Sequence, residues 1–169
     1  MTSSEEIINK LGLIKHPKEG GYFTETYRSE EELSKNVLPQ RYKSKRSLST
    51  AIYYMITPDT ISPMHRLITD EIFHFYLGDP VNILMLNPDN TSEIITLGHD
   101  ILNNQIVQMV VKRNTWFGFK LNSGGSFALL GSTMSPGFDY SDYEEGDPKT
   151  LSEQYPQHKD FIYQLSLKK

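Results

Sequence analysis

Residues 62–78, SPMHRLITDEIFHFYLG, combine histidines and acids with aromatic and aliphatic side chains. Two of them, His65 and Glu71, could do chemistry together, because an imidazole and a carboxylate in one cavity can transfer a proton or bind a metal ion. If residues 71–77 form a strand, alternation places Glu71 and His74 on opposite faces. We therefore expect His65, from a neighbouring turn or strand, to be the partner of Glu71.

Glu71 is the more informative of the two because its neighbours along the same face are Phe73 and Phe75. An ionised carboxylate in such surroundings costs on the order of several kcal/mol unless something pairs with it. Arg66 or backbone amides would make Glu71 a structural residue, whereas a ligand would make it a functional one. His74 has the same two interpretations, as a structural hydrogen-bonding residue or as part of a site.

The elements that position these residues are short strands. Between residues 20 and 133 the chain is divided into runs rich in Tyr, Phe, Ile, Val and Thr, a composition typical of strands. The runs are GYFTETY, LSTAIYYMI, DEIFHFYL, VNILML, SEIITL, QIVQMVV, TWFGFKL and SFALLGST. Turn segments such as NPDN and NSGG separate them. No helical pattern between the runs is long enough to form the crossover connection that parallel strands require. We therefore predict an antiparallel all-β barrel or sandwich over residues 20–140.

Helical patterns flank the strands within what we interpret as one domain, residues 1–169. In residues 1–13, Ser3 and Glu6 have capping-box spacing and Gly12 is a stop signal. Residues 148–169 predict a helical tail that Pro156 divides. These short helices should pack against the barrel.

The charge balance argues against nucleic acid and membranes as partners. Seventeen basic and 21 acidic residues give a net charge of -4. The basic run QRYKSKR falls in residues 29–47, which we interpret as a long mobile loop with a solvated surface. The chain has no cysteine, which excludes thiolate chemistry. Its acidic, polar first ten residues lack a signal-peptide pattern, so we expect a cytoplasmic protein.

Two spaced motifs carry a family resemblance. They are His65-x-Leu67-x3-Glu71-x6-Gly78 and Lys112-x-Asn114-x2-Phe117. The first resembles the cupin motif H-x-H-x3–4-E-x6-G, and the second lies at the place of the cupin motif P-x-G-x2-H. In metal-binding cupins three histidines and one glutamate hold the ion. Here Leu67 and Phe117 occupy two of the histidine positions.

Longer blocks resemble, in the same order, a cupin family catalogued as a domain of unknown function. They are HPKEGGYFTETYRS, STAIYYMI, SPMHRLITDEIFHFYLGDPV, QMVVKRNTWFGFKL and SPGFDYSDYE. The resemblance extends over roughly residues 11–165 and implies a jelly-roll barrel, or double-stranded β-helix, with an interior pocket. It also implies a homodimer that exchanges N-terminal strands through GYFTETY. Sugar epimerases, seed storage proteins and metal enzymes share this barrel shape.

Within that frame we expect the pocket to bind a small polar metabolite, such as a sugar or a nucleotide sugar. As an epimerase or isomerase, the protein would use His65 as general base and Glu71 as its charged counterpart. Asp139, after the turn at Pro136, could orient His65. The candidate ligand-binding residues are Tyr22, Arg28, His74, Tyr76, Gln108 and Trp116.

Alternatives remain for this set. Trp116 could instead fill the core, and Arg28 could form a surface ion pair with Glu30 or Glu31. No cofactor is required, but a divalent metal is a second interpretation, with His65, Glu71 and either His74 or Gln108 as ligands. A non-catalytic binding or storage module is a third.

Overall fold

The computed structural model describes residues 3–166. The helices are α1 (Ser4–Leu11), α2 (Pro148–Gln154) and α3 (Lys159–Gln164). The strands are β1 (Ile14–Lys15), β2 (Tyr22–Arg28), β3 (Glu32–Leu33), β4 (Arg46–Ser47), β5 (Thr50–Ile56), β6 (Ile61–Arg66), β7 (Glu71–Gly78), β8 (Val81–Leu86), β9 (Ser92–Leu97), β10 (Gln108–Val111), β11 (Trp116–Leu121), β12 (Ala128–Met134) and β13 (Glu144–Glu145). Single 3-10 turns occupy Lys35–Val37, Ile101–Asn103, Tyr140–Asp142 and Pro156–His158.

Eleven of the thirteen strands in residues 3–166 form two antiparallel sheets that enclose the core, and β3 pairs separately with β4. The first has the order β1-β2-β5-β12-β7-β10, and the second has the order β13-β6-β11-β8-β9. Inward-facing side chains of both sheets, including Tyr54, Phe73, Ile83, Phe119 and Leu130, form the largest buried cluster. This arrangement confirms the predicted all-β jelly roll with short terminal helices, because the inner faces of the two sheets pack into one shared core.

The terminal helices cover the outer faces of the sheets. Helix α1 has the predicted capping box between Ser3 and Glu6 and ends at Gly12, whose φ of 65° is left-handed. Its Ile7 packs on the outer face of the first sheet, and α2 and α3 pack on the second sheet through a separate apolar cluster. Within residues 3–166, no helix has the length and apolar character needed to cross a membrane.

The composition pattern did not predict strand β6, which contains Pro63. Proline lacks the N–H group that donates hydrogen bonds between strands, so a proline within a run of residues argues against a strand there. In the structure β6 lies between β11 and β13, and His65 pairs with Phe117 of β11. Strand β6 therefore brings His65 into the barrel interior, where the side chain is 2% exposed.

Residues 29–47 are more ordered than the predicted mobile loop. Strands β3 and β4 pair within this segment, and Tyr42 is fully buried, with its hydroxyl 2.8 Å from Thr69 Oγ1. Arg46, from the basic run that we expected to be solvated, is buried and donates from Nε to Asp142 Oδ2 at 2.9 Å. That expectation was wrong for Arg46, because an acid from outside the segment neutralises its charge.

Candidate functional site

A cavity of about 510 Å³ lies against the inner face of the first sheet. Strands β2, β5, β7 and β12 supply part of its wall, together with the turn before β2 and the loop after β12. Apolar side chains such as Phe23, Ile52 and Phe138 alternate there with acids, one arginine and one histidine. Small-molecule sites usually combine apolar surface with polar groups that fix the orientation of the ligand.

Glu71, at the start of β7, is a buried acid in this wall, with 8% of its surface exposed. Ser132 of β12 donates its hydroxyl hydrogen to Glu71 Oε1. The other oxygen, Oε2, is buried and has no hydrogen-bond partner within residues 3–166. Burial raises the pKa of Glu71 to about 7, and the Ser132 hydrogen bond only partly opposes this shift.

Glu19 lies in the turn before β2 and lines the same cavity. Burial raises the pKa of its carboxyl to about 8, and the negative charge of Glu71 adds to the shift, whereas Lys18 opposes it. The two carboxyls therefore titrate as a coupled pair. At neutral pH this pair retains protons that exposed carboxyls would have lost.

His16 is a cavity residue that the sequence analysis missed. Its Nδ1 accepts hydrogen bonds from the backbone N–H groups of Glu19, at 2.8 Å, and Lys18, at 3.3 Å. Burial lowers the His16 pKa to about 4, so the ring is neutral at pH 7 and its single proton lies on Nε2. His16 therefore contributes a hydrogen-bond donor. The Gly20–Gly21 pair that follows was the available sequence signal for a tight turn next to this histidine.

His65 has the opposite tautomer and a different position. Its Nδ1 lies 2.7 Å from the carbonyl oxygen of Pro63, which can only accept, so Nδ1 carries the proton and Nε2 has the free lone pair. The ring packs between Phe117 and Tyr143, with centroid distances of 4.2 and 5.1 Å. Burial lowers its pKa to about 4. No hydrogen bond joins His65 to Glu71 in the described part of the chain, so the expected pair is not formed directly.

Arg28, expected to bind ligand, and Asp139, expected to orient His65, both line the cavity, but each has a protein partner. Arg28 forms a two-pronged ion pair with Glu25, at 3.0 and 2.7 Å, rather than with Glu30 or Glu31. Asp139 accepts hydrogen bonds from the backbone N–H and the hydroxyl of Ser141. The expectation that Asp139 orients His65 was wrong, because the Pro63 carbonyl holds the His65 Nδ1 proton instead.

Five expected ligand-binding residues lie away from the cavity. Tyr22 packs with the apolar cluster beneath α1, and Trp116 packs near the C-terminal helices, with the Arg66 guanidinium 4.3 Å from its ring. His74, Tyr76 and Gln108 meet away from the cavity lining, where the His74 ring stacks on Tyr76 and its Nδ1 lies 3.1 Å from Gln108 Nε2. Strand alternation accounts for Tyr22 and His74. Phe23 follows Tyr22 in β2, and Glu71 lies three residues before His74 in β7, so the side chains of Phe23 and Glu71 face the cavity and those of Tyr22 and His74 face away from it.

Arg66, the alternative partner considered for Glu71, pairs with Glu144 of β13 instead, at 2.8 and 2.9 Å. The structural interpretation of Glu71 as the partner of Arg66 was therefore wrong. Within the described residues, Glu71 accepts a side-chain hydrogen bond from the Ser132 hydroxyl alone, and its Oε2 remains available to bind another group.

The residues present do not fit a cupin metal centre. Leu67 lies in the cavity wall and Phe117 in the core, and neither side chain can coordinate a metal. His74, the proposed third ligand, is absent from the cavity wall that contains Glu71. Across residues 3–166, no group of three or more His, Asp or Glu side chains is arranged to hold an ion.

Comparisons with known proteins agree with this architecture. A family described as Cupin superfamily (DUF985) matches residues 5–145. Uncharacterized protein YML079W from Saccharomyces cerevisiae is 32% identical over 151 residues, which are 84% of this chain and 74% of the yeast protein. The crystal structure of protein SO0799 from Shewanella oneidensis matches with a TM-score of 0.86 and 31% identity, over 100% of both chains.

A more distant likeness supports the fold alone. Oxalate decarboxylase from Bacillus subtilis matches with a TM-score of 0.54 and 13% identity, over 93% of this chain and 38% of that enzyme. The family match covers most of the chain, and the solved relative has the same barrel along its full length. The chain therefore belongs to the cupin superfamily, in the family designated DUF985.

Proposed function

We propose that this cupin binds a small polar molecule in the cavity beside Glu71. The observation that carries the proposal is the buried Oε2 of Glu71, which has no partner within residues 3–166. An unsatisfied buried polar atom costs about 1–3 kcal/mol, and more when it is charged. A ligand that offers a hydrogen bond to Oε2 recovers this free energy.

The rest of the cavity supports recognition of a molecule with both polar and apolar parts. The Nε2–H group of His16 is a donor, and the Glu19 carboxyl can donate or accept according to its protonation. Phe23, Ile52 and Phe138 offer apolar contact. The volume of about 510 Å³ lies in the range of small-molecule sites and accommodates a sugar-sized ligand.

A second candidate function is proton transfer on a bound carbonyl compound, as in an isomerase or epimerase. The favouring observation is the Glu71 pKa of about 7, because a general base works best with a pKa near the working pH. Glu71 would remove a proton from the carbon next to the carbonyl, and the electron pair of that C–H bond would move to the carbonyl oxygen. Glu19 would return a proton to the carbon. His65, whose pKa is about 4, is less suited to act as this base.

We also propose that the chain forms a homodimer by edge pairing of β2. Strand β5 pairs along β2 from Tyr22 to Arg28, but β1 pairs only with Tyr22 and Phe23. Within residues 3–166, the β1-side edge of β2 beyond Phe23 therefore has no neighbouring strand. An open strand edge favours pairing with a second copy.

The binding proposal is tested by a thermal-shift screen of sugars, nucleotide sugars, organic acids and amines. Ile52→Phe places a ring in the cavity, and Ile101→Phe makes the same change at a residue that is 63% exposed. A true cavity ligand raises the melting temperature of the wild type and of Ile101→Phe but not of Ile52→Phe. Ligands that stabilise all three proteins equally would show that binding occurs elsewhere.

A further inference from the structure

The cavity contains more acids than bases. Glu19, Glu25, Glu71 and Asp139 contribute carboxyls to its wall, and Arg28 contributes the guanidinium. The Arg28 fork is already paired with Glu25, and its two Nη atoms also donate to the backbone carbonyl of Phe138 at 3.3 Å. Arg28 therefore has little capacity left for an incoming anion.

Among these acids, Glu71 also lacks a hydrogen-bond donor for one of its oxygens within the described residues. Its side chain is more than nine-tenths buried in the cavity wall, and Oε2 lacks a hydrogen-bond donor within the described residues. A carboxylate oxygen accepts hydrogen bonds, so the missing partner of the ionised group is a donor. A charged N–H donor forms a stronger hydrogen bond with a carboxylate than a neutral donor does.

The rim of the cavity already accommodates an ammonium group of the protein itself. Lys18 Nζ lies 5.2 Å from the ring centroid of Tyr140 and 5.9 Å from that of Tyr143, within the range of cation–π contact. Tyr140 also lines the cavity, beside Phe23 and Phe138. The aromatic surface next to the acids is thus suited to a cation.

We infer that the cavity selects a small organic cation, whose ammonium or amidinium group pairs with Glu71 and Glu19 while its carbon skeleton contacts Phe23 and Tyr140. This inference rests on the proposed binding function and narrows its ligand class. A nucleotide sugar, which carries phosphate charges, would face the acids of the wall with Arg28 already engaged. A neutral sugar would satisfy Glu71 without using the charge of the acids.

The test compares cations with neutral and anionic molecules of the same shape. The probes are benzamidine with benzamide and benzoate, and cyclohexylamine with cyclohexanol and cyclohexanecarboxylate, measured by isothermal titration calorimetry. Each cation should bind the wild type about tenfold or more tightly than its neutral and anionic analogues. Glu71→Gln, which keeps the shape but not the charge, should remove this preference, and the exposed-site control Glu93→Gln should retain it.

The number of protons released when the cation binds tests the same inference in the wild type alone. The cation should lower the pKa of both carboxyls, so its binding near pH 7 should release protons. Titrations of cyclohexylamine in phosphate and in MOPS, neither of which adds a competing net cation, then give different heats, because the two buffers take up the released protons with different enthalpies. Proton uptake, or equal heats in both buffers, would contradict the inference.

The remaining outcomes separate the two proposals. If benzamide or cyclohexanol binds as tightly as its cationic analogue, and Ile52→Phe abolishes this binding, the cavity is a ligand site but does not select cations. If neither cation binds, the inference is wrong, and the screen with Ile52→Phe and Ile101→Phe tests the cavity independently.

Discussion

Ser132 and Glu71 join neighbouring strands through a hydrogen bond between a hydroxyl and one carboxylate oxygen. This contact gives one carboxylate oxygen a hydrogen bond and fixes the orientation of the group, but it leaves Oε2 without a partner within residues 3–166. Burial raises the Glu71 pKa to about 7, so Glu71, like Glu19, is a group whose protonation a ligand can change.

Glu71 should make the protein less stable as the pH rises. Its pKa is about 7 in the folded chain and 4.5 ordinarily, so between these values the folded state binds more protons than the unfolded state. The free energy of unfolding then falls with rising pH, by roughly 1.4 kcal/mol for each unit of pKa difference. We expect Glu71→Gln to flatten this decline and to be more stable than the wild type above pH 7. Urea denaturation across this range measures the effect.

Glu93→Gln is the control for that experiment, because Glu93 is an exposed glutamate on β9. It should keep the pH profile of the wild type. An equal loss of stability in Glu71→Gln at every pH would show that the carboxyl is not protonated by burial and would remove its proposed role as a titrating group.

His65 should make the protein sensitive to acid. Burial lowers its pKa to about 4 from 6.5, so the unfolded state binds more protons between these values and stability is lost as the pH falls through them. His65→Asn keeps an N–H group for the Pro63 carbonyl but cannot take up this proton, and should therefore be less acid-sensitive. The same substitution at the exposed His99 should leave the acid unfolding midpoint unchanged. Unaltered acid sensitivity in His65→Asn would argue against a buried neutral His65.

Protein purified without chelators should contain less than one equivalent of zinc, iron, nickel or manganese. The reason is that Leu67 and Phe117 replace two donors and that His74 is not in the wall beside Glu71. Elemental analysis by mass spectrometry measures the content. A full equivalent in the wild type that disappears in Glu71→Ala would contradict the poor fit of these residues to a metal centre.

The proposed homodimer depends on the open edge of β2. Tyr27, near the end of this strand, is 55% exposed, and Tyr27→Lys should weaken the dimer by about tenfold or more because it introduces a charge at the edge. Tyr163→Lys changes a similarly exposed tyrosine on α3 and should have no effect. Light scattering over a dilution series measures the equilibrium. A monomeric wild type at micromolar concentration would contradict the proposal.

Local sequence rules predicted most of the fold. Composition and turn signals identified the main strands, and Ser3, Glu6 and Gly12 marked the ends of α1 because capping depends on nearby residues alone. Strand β6 was missed because Pro63 opposes strand formation locally. The Arg46–Asp142 pair was missed because its two residues meet only after the chain folds.

The site was less predictable because alternation shows that two residues share a face but not which face contains the cavity. Glu71 was identified because a charge among aromatic residues is costly to bury. Tyr22 and Trp116 were expected in the cavity wall, but they pack in apolar clusters away from it. His16 and Glu19 lie in a turn, where no periodic pattern indicates burial, and only the folded chain brings them to the cavity shared with Glu71.

The most direct test of the account is the affinity of the strongest ligand from the thermal-shift screen for the wild type, Glu71→Gln and Glu93→Gln, measured by isothermal titration calorimetry. Glu71→Gln should weaken binding by about tenfold or more, while Glu93→Gln should bind like the wild type. Equal affinity in all three proteins would contradict the central claim that the unpartnered oxygen of Glu71 is a ligand-binding group.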